Sequence, residues 1–343
     1  METSRDNLKY SIKPNQRMTT DGEKVNQETY DRDDVSENSS DEGEQDSSNK
    51  LNDAKSLLDS REIPLVYGEF ADAYSFRSLI EYLNHTNDDG NFISSPKGLY
   101  YSKTSSNNQV LNEVTIHAHE LTRFEFNSDK ESIVSGMNLG QFKGATKKIG
   151  KKDIARLSIF NSAICLQVSG SPKSGSDEDM DVIRTQRLDN HCYVVDGYQN
   201  EDEPNCTISM QRFTSVCTDQ SSCKDDYILF VGLDRGLITE ARQGGNLRAS
   251  IKTLGQIDDN IAMRSGSFSE KTPKSTGKNV KIILKYPGEI VRYRIPRRIV
   301  AALSKLTNIS PNGTVKVYMQ PSLPIKFVFH ISTYGKLAVY LRS

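Results

Sequence analysis

The sequence predicts a duplicated α+β protein that follows an acidic tail. Two observations support this prediction: charge is divided unevenly along the chain, and one order of strands and helices occurs twice. Residues 1–62 hold 9 basic and 16 acidic side chains, a net charge of −7, with few apolar clusters, which is typical of a disordered segment. The other 281 of the 343 residues hold 35 basic and 29 acidic side chains, a net charge of +6, and are long enough for two domains.

The first predicted domain spans residues 63–188 and begins with a strand over 63–69. A helix follows over 70–84, where Phe76, Ile80 and Leu83 recur at helical spacing, and Asp88-Asp89-Gly90 signals a turn. The later elements are expected to be strands at 92–94, 98–102, 110–118, 122–127 and 132–137, a helix at 139–150, and strands at 154–160, 163–169 and 182–188.

An acidic connector at 189–205 precedes the second predicted domain, residues 206–343, in which the order of elements repeats. A strand at 206–210 leads into a helix at 211–223, and Pro296 is expected in the first turn of a helix that ends at Asn308. The remaining strands are expected at 227–233, 237–242, 247–254, 280–286, 290–294, 314–320, 325–332 and 336–342. Two polar insertions are expected, at 169–179 and 256–278.

The motifs that would indicate an enzyme or a metal site are incomplete. The run GATKKIGKK at 144–152 has the wrong glycine spacing for a phosphate loop and lacks the following Ser or Thr. His117 and His119 have no third ligand at a supportive spacing, and His191-Cys192 is better explained as an exposed pair than as a nucleophile with its base. We therefore expect no catalytic residues, no metal and no cofactor.

Composition also bears on where the protein acts. Five sparse cysteines indicate a reducing compartment, and neither a membrane-spanning run nor a signal peptide is recognisable. These features predict a soluble intracellular protein.

Basic residues on the predicted helices are the most informative feature for function. The candidate DNA-binding residues are Arg77, Lys143, Lys147, Lys148, Lys151, Arg212, Arg294, Arg297, Arg298 and Lys305. A single basic helix is usually just a solvated face, but basic helices at equivalent places in both halves predict one positive surface that suits phosphates. No aromatic residues interleave the lysines, so the sequence favours sequence-independent contact with duplex backbone over stacking on single-stranded bases.

Four segments resemble the family of proliferating cell nuclear antigen, the DNA sliding clamp, in the same order as in that family. They are VTIHAHELTRF at 114–124, SGMNLGQF at 135–142, DRGL at 234–237 and LPIKFVFHISTYGKLAVYL at 323–341. The likeness is weak and runs over residues 63–343. The first helix has few lysines, two insertions occur, and the chain ends without the family's Ala-Pro, so a divergent clamp is expected, such as one from a large DNA virus.

The resemblance implies a DNA clamp fold of two similar domains, each with antiparallel sheets outside and two helices inside. It implies a homotrimeric ring around double-stranded DNA, joined through the strands near 182–188 and 237–242. The ring would tether a DNA polymerase and other clamp-binding proteins without chemistry of its own. The implied location is the nucleus, or a cytoplasmic replication site for a viral protein.

The resemblance also implies a pocket for a partner peptide beneath the connector. Its candidate residues are Leu111, Tyr193, Val194, Val195, Tyr198, Pro324 and Tyr340. The connector residues among them could equally pin the connector to its own domain.

Two other clamp-like functions remain open. The chain could be a monomeric or dimeric viral processivity factor that charge alone holds on DNA, which the net charge of +6 on residues 63–343 favours. It could instead be a checkpoint-type clamp subunit in a mixed ring. A nucleic-acid-modifying enzyme is a remote alternative, because the sequence shows no carboxylate or metal constellation.

Overall fold

A computed structural model describes residues 63–170, 179–186, 188, 195, 203–242, 249–255, 286 and 288–342. In the first half the elements are β1 Val66–Phe70, α1 Ala73–Thr86, β2 Asp89–Ser95, β3 Gly98–Thr104, β4 Val110–His117, a 3₁₀ turn Ala118–Glu120, β5 Arg123–Phe126, β6 Ile133–Asn138, α2 Leu139–Thr146, β7 Ile154–Ile159, β8 Ala163–Ser169 and β9 Asp179–Arg184. In the second half they are β10 Cys206–Ser209, α3 Met210–Ser221, β11 Tyr227–Leu233, β12 Gly236–Arg242, β13 Ala249–Gly255, β14 Glu289–Pro296, α4 Arg297–Leu303, a 3₁₀ helix η2 Ser304–Asn308, β15 Thr314–Tyr318, β16 Ile325–Ile331 and β17 Gly335–Leu341. Strand, helix, strands, helix and strands therefore occur twice, as the sequence predicts.

The described strands form three antiparallel sheets. One sheet belongs to the first half, in the order β5-β1-β7-β8-β9, and one to the second half, in the order β13-β12-β11-β14. The third has eight strands and includes both halves, because β17 pairs with β4 and places Tyr340 opposite Leu111. This pairing satisfies the backbone groups of two strands that would otherwise be sheet edges and fixes one half against the other.

The helices form a second layer against the sheets. Helix α1 packs against α2 on one side and against α4 and η2 on the other, and α3 packs against α4 and η2. The order across the layer is therefore α2, α1, α4 with η2, then α3. Aromatic residues anchor both halves to one core: Phe70 stacks on Phe76 with ring centroids 4.4 Å apart, and Phe213 lies 5.2 Å from Phe327.

Several predicted boundaries are wrong, and strand pairing explains most of them. Asp89 and Gly90 lie in β2 rather than in a turn, because β2 pairs with β6 from Asp89 onward. Helix α2 ends at Thr146, four residues before the predicted end. Pro296 is the last residue of β14 and caps α4 with extended backbone angles, so it does not lie in the first helical turn.

The strand predicted to join subunits in the second half is also misplaced. Strand β12 lies inside its sheet, because β11 pairs on one side and β13 pairs along the whole of β12 on the other. Among the described strands, β13 is at the end of that sheet, and β9 is at the end of the first-half sheet.

Some predictions lie outside the described residues. These are the tail at 1–62, most of the connector at 189–205, and most of both insertions. No described helix has the length and apolar character needed to cross a membrane.

Candidate nucleic-acid interface and partner pocket

The helical layer carries basic side chains on the side opposite its buried face. Helix α4 buries Ile299 and Leu303, while Arg298 is exposed on another side of the helix. Lys305 in η2 and Arg212 in α3 are exposed in the same way. The second half therefore contributes Arg212, Arg298 and Lys305 to this face.

Basic groups from the two halves meet around His85, near the end of α1. The pKa of His85 is lowered because neighbouring atoms remove part of its hydration and because the charges of Lys305 and Lys143 disfavour the imidazolium. Lys305 belongs to the second half and Lys143 to α2 of the first half. Basic side chains of both halves therefore act electrostatically on the end of α1.

The lysines predicted at the end of α2 lie mostly beyond it. Lys147 is the exposed C-cap of α2, and Lys148 and Lys151 follow it in the chain. The Lys148 ammonium forms an ion pair with Asp181 at 2.8 Å, and the Lys151 ammonium lies 5.9 Å from the centre of the Tyr74 ring. The Lys151 ammonium is therefore held beside α1, whereas the Lys148 ammonium is held against β9.

Arg77 has a structural role that the sequence did not predict. Its Nε donates to Glu81 Oε1 at 2.7 Å, and its Nη1 donates to the carbonyl of Ile149 at 2.9 Å. The guanidinium thus connects α1 to the chain that follows α2. Arg297 does the same in the second half, because its Nη1 donates to the carbonyl of Cys223, just beyond α3, at 3.1 Å.

Arg294 is not part of the helical face, which corrects its grouping with the basic residues of the predicted helices. It lies in β14, and its neighbour Ile295 is buried in the core beneath the helices. Because successive strand residues point to opposite faces, Arg294 lies on the side of the sheet away from α3 and α4. Its guanidinium lies over the ring of Tyr227, 4.1 Å from the ring centre.

Three of the residues predicted for the partner pocket, Leu111, Val195 and Tyr340, lie in one apolar cluster on the eight-stranded sheet. The cluster consists of Leu111, Val195, Val328, Ala338 and Tyr340. Leu111 from the first half and Tyr340 from the second are directly opposite in the register of β4 and β17. The connector reaches this cluster through Val195, whereas Tyr193, Val194 and Tyr198 lie outside the described residues.

Two charged side chains that the sequence did not predict, Glu113 and Lys326, lie beside the apolar cluster. The Tyr340 hydroxyl donates to Glu113 Oε2 at 2.7 Å. The buried Lys326 lies between two rings, its ammonium 5.3 Å from the centre of Tyr340 and 5.4 Å from that of Tyr318. The sequence does contain a signal for this contact: Lys326 interrupts the apolar run of β16, two residues after the half-buried Pro324.

The described residues offer no constellation for metal or nucleophilic chemistry. No three His, Cys, Asp or Glu side chains among them are close enough to share a metal ion. The ring centroids of His117 and His119 are 5.5 Å apart, and His119 Nε2 lies 3.9 Å from Glu120 Oε1. Burial raises the pKa of the Cys165 thiol to about 11 and that of Cys206 to about 12, so both are protonated at neutral pH. His191 and Cys192 lie outside the described residues.

Comparison of the structure with solved structures identifies the fold, although no protein-family model and no curated protein sequence matches the chain. The structure is similar to that of proliferating cellular nuclear antigen from Entamoeba histolytica, with a TM-score of 0.61 and 14% identity over 82% of this chain and 99% of that one. It is also similar to the PCNA2–PCNA3 complex from Sulfolobus tokodaii, with a TM-score of 0.59 and 16% identity over 80% of this chain and 98% of that one. Over about four fifths of its length the chain therefore has the PCNA-type sliding-clamp fold.

Proposed function

We propose that the protein is a DNA sliding clamp: three copies close a ring around duplex DNA and tether a polymerase and other replication proteins. The observation that carries this proposal is the single helical layer, in which helices of both halves pack side by side and expose Lys147, Arg298, Lys305 and Arg212. In a clamp fold that face lines the hole. Phosphates are the ligands that suit such a surface, and contacts with them are independent of sequence.

The ring would close through the outer strands of two sheets. We expect β9 of one copy to pair with β13 of the next, since these are the end strands of their sheets within the described part of the chain. Backbone pairing of this kind would satisfy two rows of hydrogen-bonding groups at once. A closed ring holds DNA by its topology, so each phosphate contact can be weak and mobile.

Partner proteins would dock at the apolar cluster around Leu111 and Tyr340. Tyr340 is only 5% exposed, so a partner peptide would enter beside Val195 or displace it. A peptide with aliphatic and aromatic anchors suits such a site, and its backbone could pair with the connector.

The salt dependence of DNA binding tests the proposed surface. Each phosphate contact contributes about 0.9 to the slope of log K against log salt, so Lys147→Ala combined with Arg298→Ala should lower that slope by about 2 on blunt duplex DNA. Arg294→Ala is the matched control, because it removes an exposed arginine from the other side of the sheet. An unchanged slope in the double variant, or an equal fall in the control, would contradict the assignment.

A second candidate function keeps the fold without the ring: a monomeric or dimeric processivity factor that charge alone holds on DNA. The net charge of +6 on residues 63–343 favours it. The two candidates differ in the mass of the assembly in solution.

A further inference from the structure

A groove of about 680 Å³ lies between the two halves, beside the basic helical face. The turn between β3 and β4 forms one wall with Asn107 and Gln109, and α4 forms the other with Arg297 and Arg298. Tyr227, the first residue of β11, lines the groove where it reaches the second-half sheet. Its volume is in the range of ligand sites in proteins, about 300–1,000 Å³.

The groove connects the helical face to the outer side of the molecule. A neighbouring cavity of about 90 Å³ shares Asn107 and Arg298 with it and extends to His85, where Lys143 and Lys305 meet. At the other end Tyr227 pairs with Pro296 and lies against Arg294, which is on the sheet face away from the helices. A strand of nucleic acid leaving the helical face could follow this path.

The chemistry of the groove suits a single strand. Tyr227 is 40% exposed, and the Arg294 guanidinium 4.1 Å from its centre holds the ring in place. An exposed aromatic ring is a platform for a base, and nearby arginines bind the adjoining phosphates. The two guanidinium groups of Arg297 and Arg298 against the single carboxylate of Asp226 leave the lining of the groove positive.

We propose that this groove binds single-stranded nucleic acid without sequence preference, with one base stacked on Tyr227 and phosphates on Arg297 and Arg298. This contact is additional to the encirclement of duplex DNA. The sequence pattern did not indicate it, because Tyr227 is far along the chain from the basic residues and only the pairing of β11 with β14 brings them together.

The test is the affinity of the full chain for a fluorescent oligothymidylate of about 12 nucleotides, compared with a blunt duplex, at about 50 mM salt. Stacking of one base typically accounts for a fivefold to hundredfold change in affinity, so Tyr227→Ala should weaken oligothymidylate binding by about that factor. Tyr227→Phe keeps the ring and should bind as the native chain does. Neither variant should alter duplex binding.

The proposal is overturned if Tyr227→Ala binds oligothymidylate as tightly as the native chain, or if its affinities for oligothymidylate and duplex fall equally. A second measurement needs no variant: photocrosslinking of an oligonucleotide that carries 5-iododeoxyuridine to the native chain. We expect the crosslink at Tyr227, and a crosslink confined to other parts of the chain would overturn the proposal. Loss of duplex binding with retained single-strand binding would contradict the clamp function but not this site.

Discussion

Arg294 and Arg298 are four residues apart and lie on opposite sides of the second half. The sequence groups both with the basic face of the last helix, because RYRIPRRIVAAL can be written on a helical repeat with Ile295 and Ile299 on one face. The structure ends a strand at Pro296 and begins the helix at Arg297. Since both a strand and a helix would bury Ile295, hydrophobic spacing alone could not locate this boundary.

Contacts between distant residues explain what the sequence could not predict about the candidate sites. The individual residues Leu111 and Tyr340 were chosen from the resemblance, and the register of β4 and β17 brings them together. The stacking of Lys326 between Tyr318 and Tyr340 depends on the alignment of three strands, which no local pattern encodes.

Tyr340 provides the direct test of the partner pocket. Truncation of a central aromatic anchor typically costs about 2 kcal/mol, so Tyr340→Ala should weaken binding of a polymerase-tail peptide by roughly thirtyfold. Tyr340→Phe is the matched control: it keeps the ring and removes only the hydroxyl that donates to Glu113. Calorimetric titration measures both, and thermal unfolding checks that the variants are folded. Native-like binding by Tyr340→Ala would place the docking site elsewhere.

His85 should report on occupancy of the helical face. Partial loss of hydration and the charges of Lys305 and Lys143 hold its pKa below the ordinary value of 6.5, so it is neutral at pH 7. A phosphate backbone beside it would favour the imidazolium, so duplex DNA should raise this pKa, and binding should tighten as the pH falls through it. NMR titration of the imidazole, assigned with His85→Gln, measures the pKa with and without DNA. A His85 pKa at or above 6.5 in the DNA-free protein, or no rise of that pKa when DNA binds, would contradict this account.

At the scale of single elements, the apolar spacing of α1 located that helix to within a few residues. Helix α2 was harder, because it has only eight residues and its end depends on local turns. One turn is closed by the Lys147 N–H, which donates to the Gly144 carbonyl at 3.2 Å. The error in the predicted subunit-joining strand has a different cause. Strand pairing decides which strand lies at the edge of a sheet, and β12 and β13 have apolar patterns too similar to tell them apart.

The start of α2 gives an element-scale prediction. Asn138 is its N-cap, and its Oδ1 accepts the Gln141 backbone N–H at 2.9 Å. Asn138→Ala should therefore lower the free energy of unfolding by about 1 kcal/mol. Gln141→Ala keeps the backbone donor and removes only an exposed side chain, so it should have little effect. Urea denaturation measures both variants, and equal stabilities would show that the cap contributes nothing.

At the scale of the whole molecule, the duplication of the α+β unit could be predicted from the repeated order of elements, because that order depends only on local patterns. The pairing of β4 with β17, which joins the two halves, could not be predicted, because these strands lie more than 200 residues apart in the chain. The fold in turn fixes the positions of the two candidate surfaces: the basic face lies on the helical layer, and the apolar cluster lies on the sheet that both halves share.

Formation of a ring is the central claim, and the mass of the native protein in solution tests it most directly. Sedimentation equilibrium at micromolar concentration should give three times the chain mass of 38.5 kDa, with and without duplex DNA. A single-chain or two-chain mass under both conditions would contradict the ring and support a factor that charge alone holds on DNA.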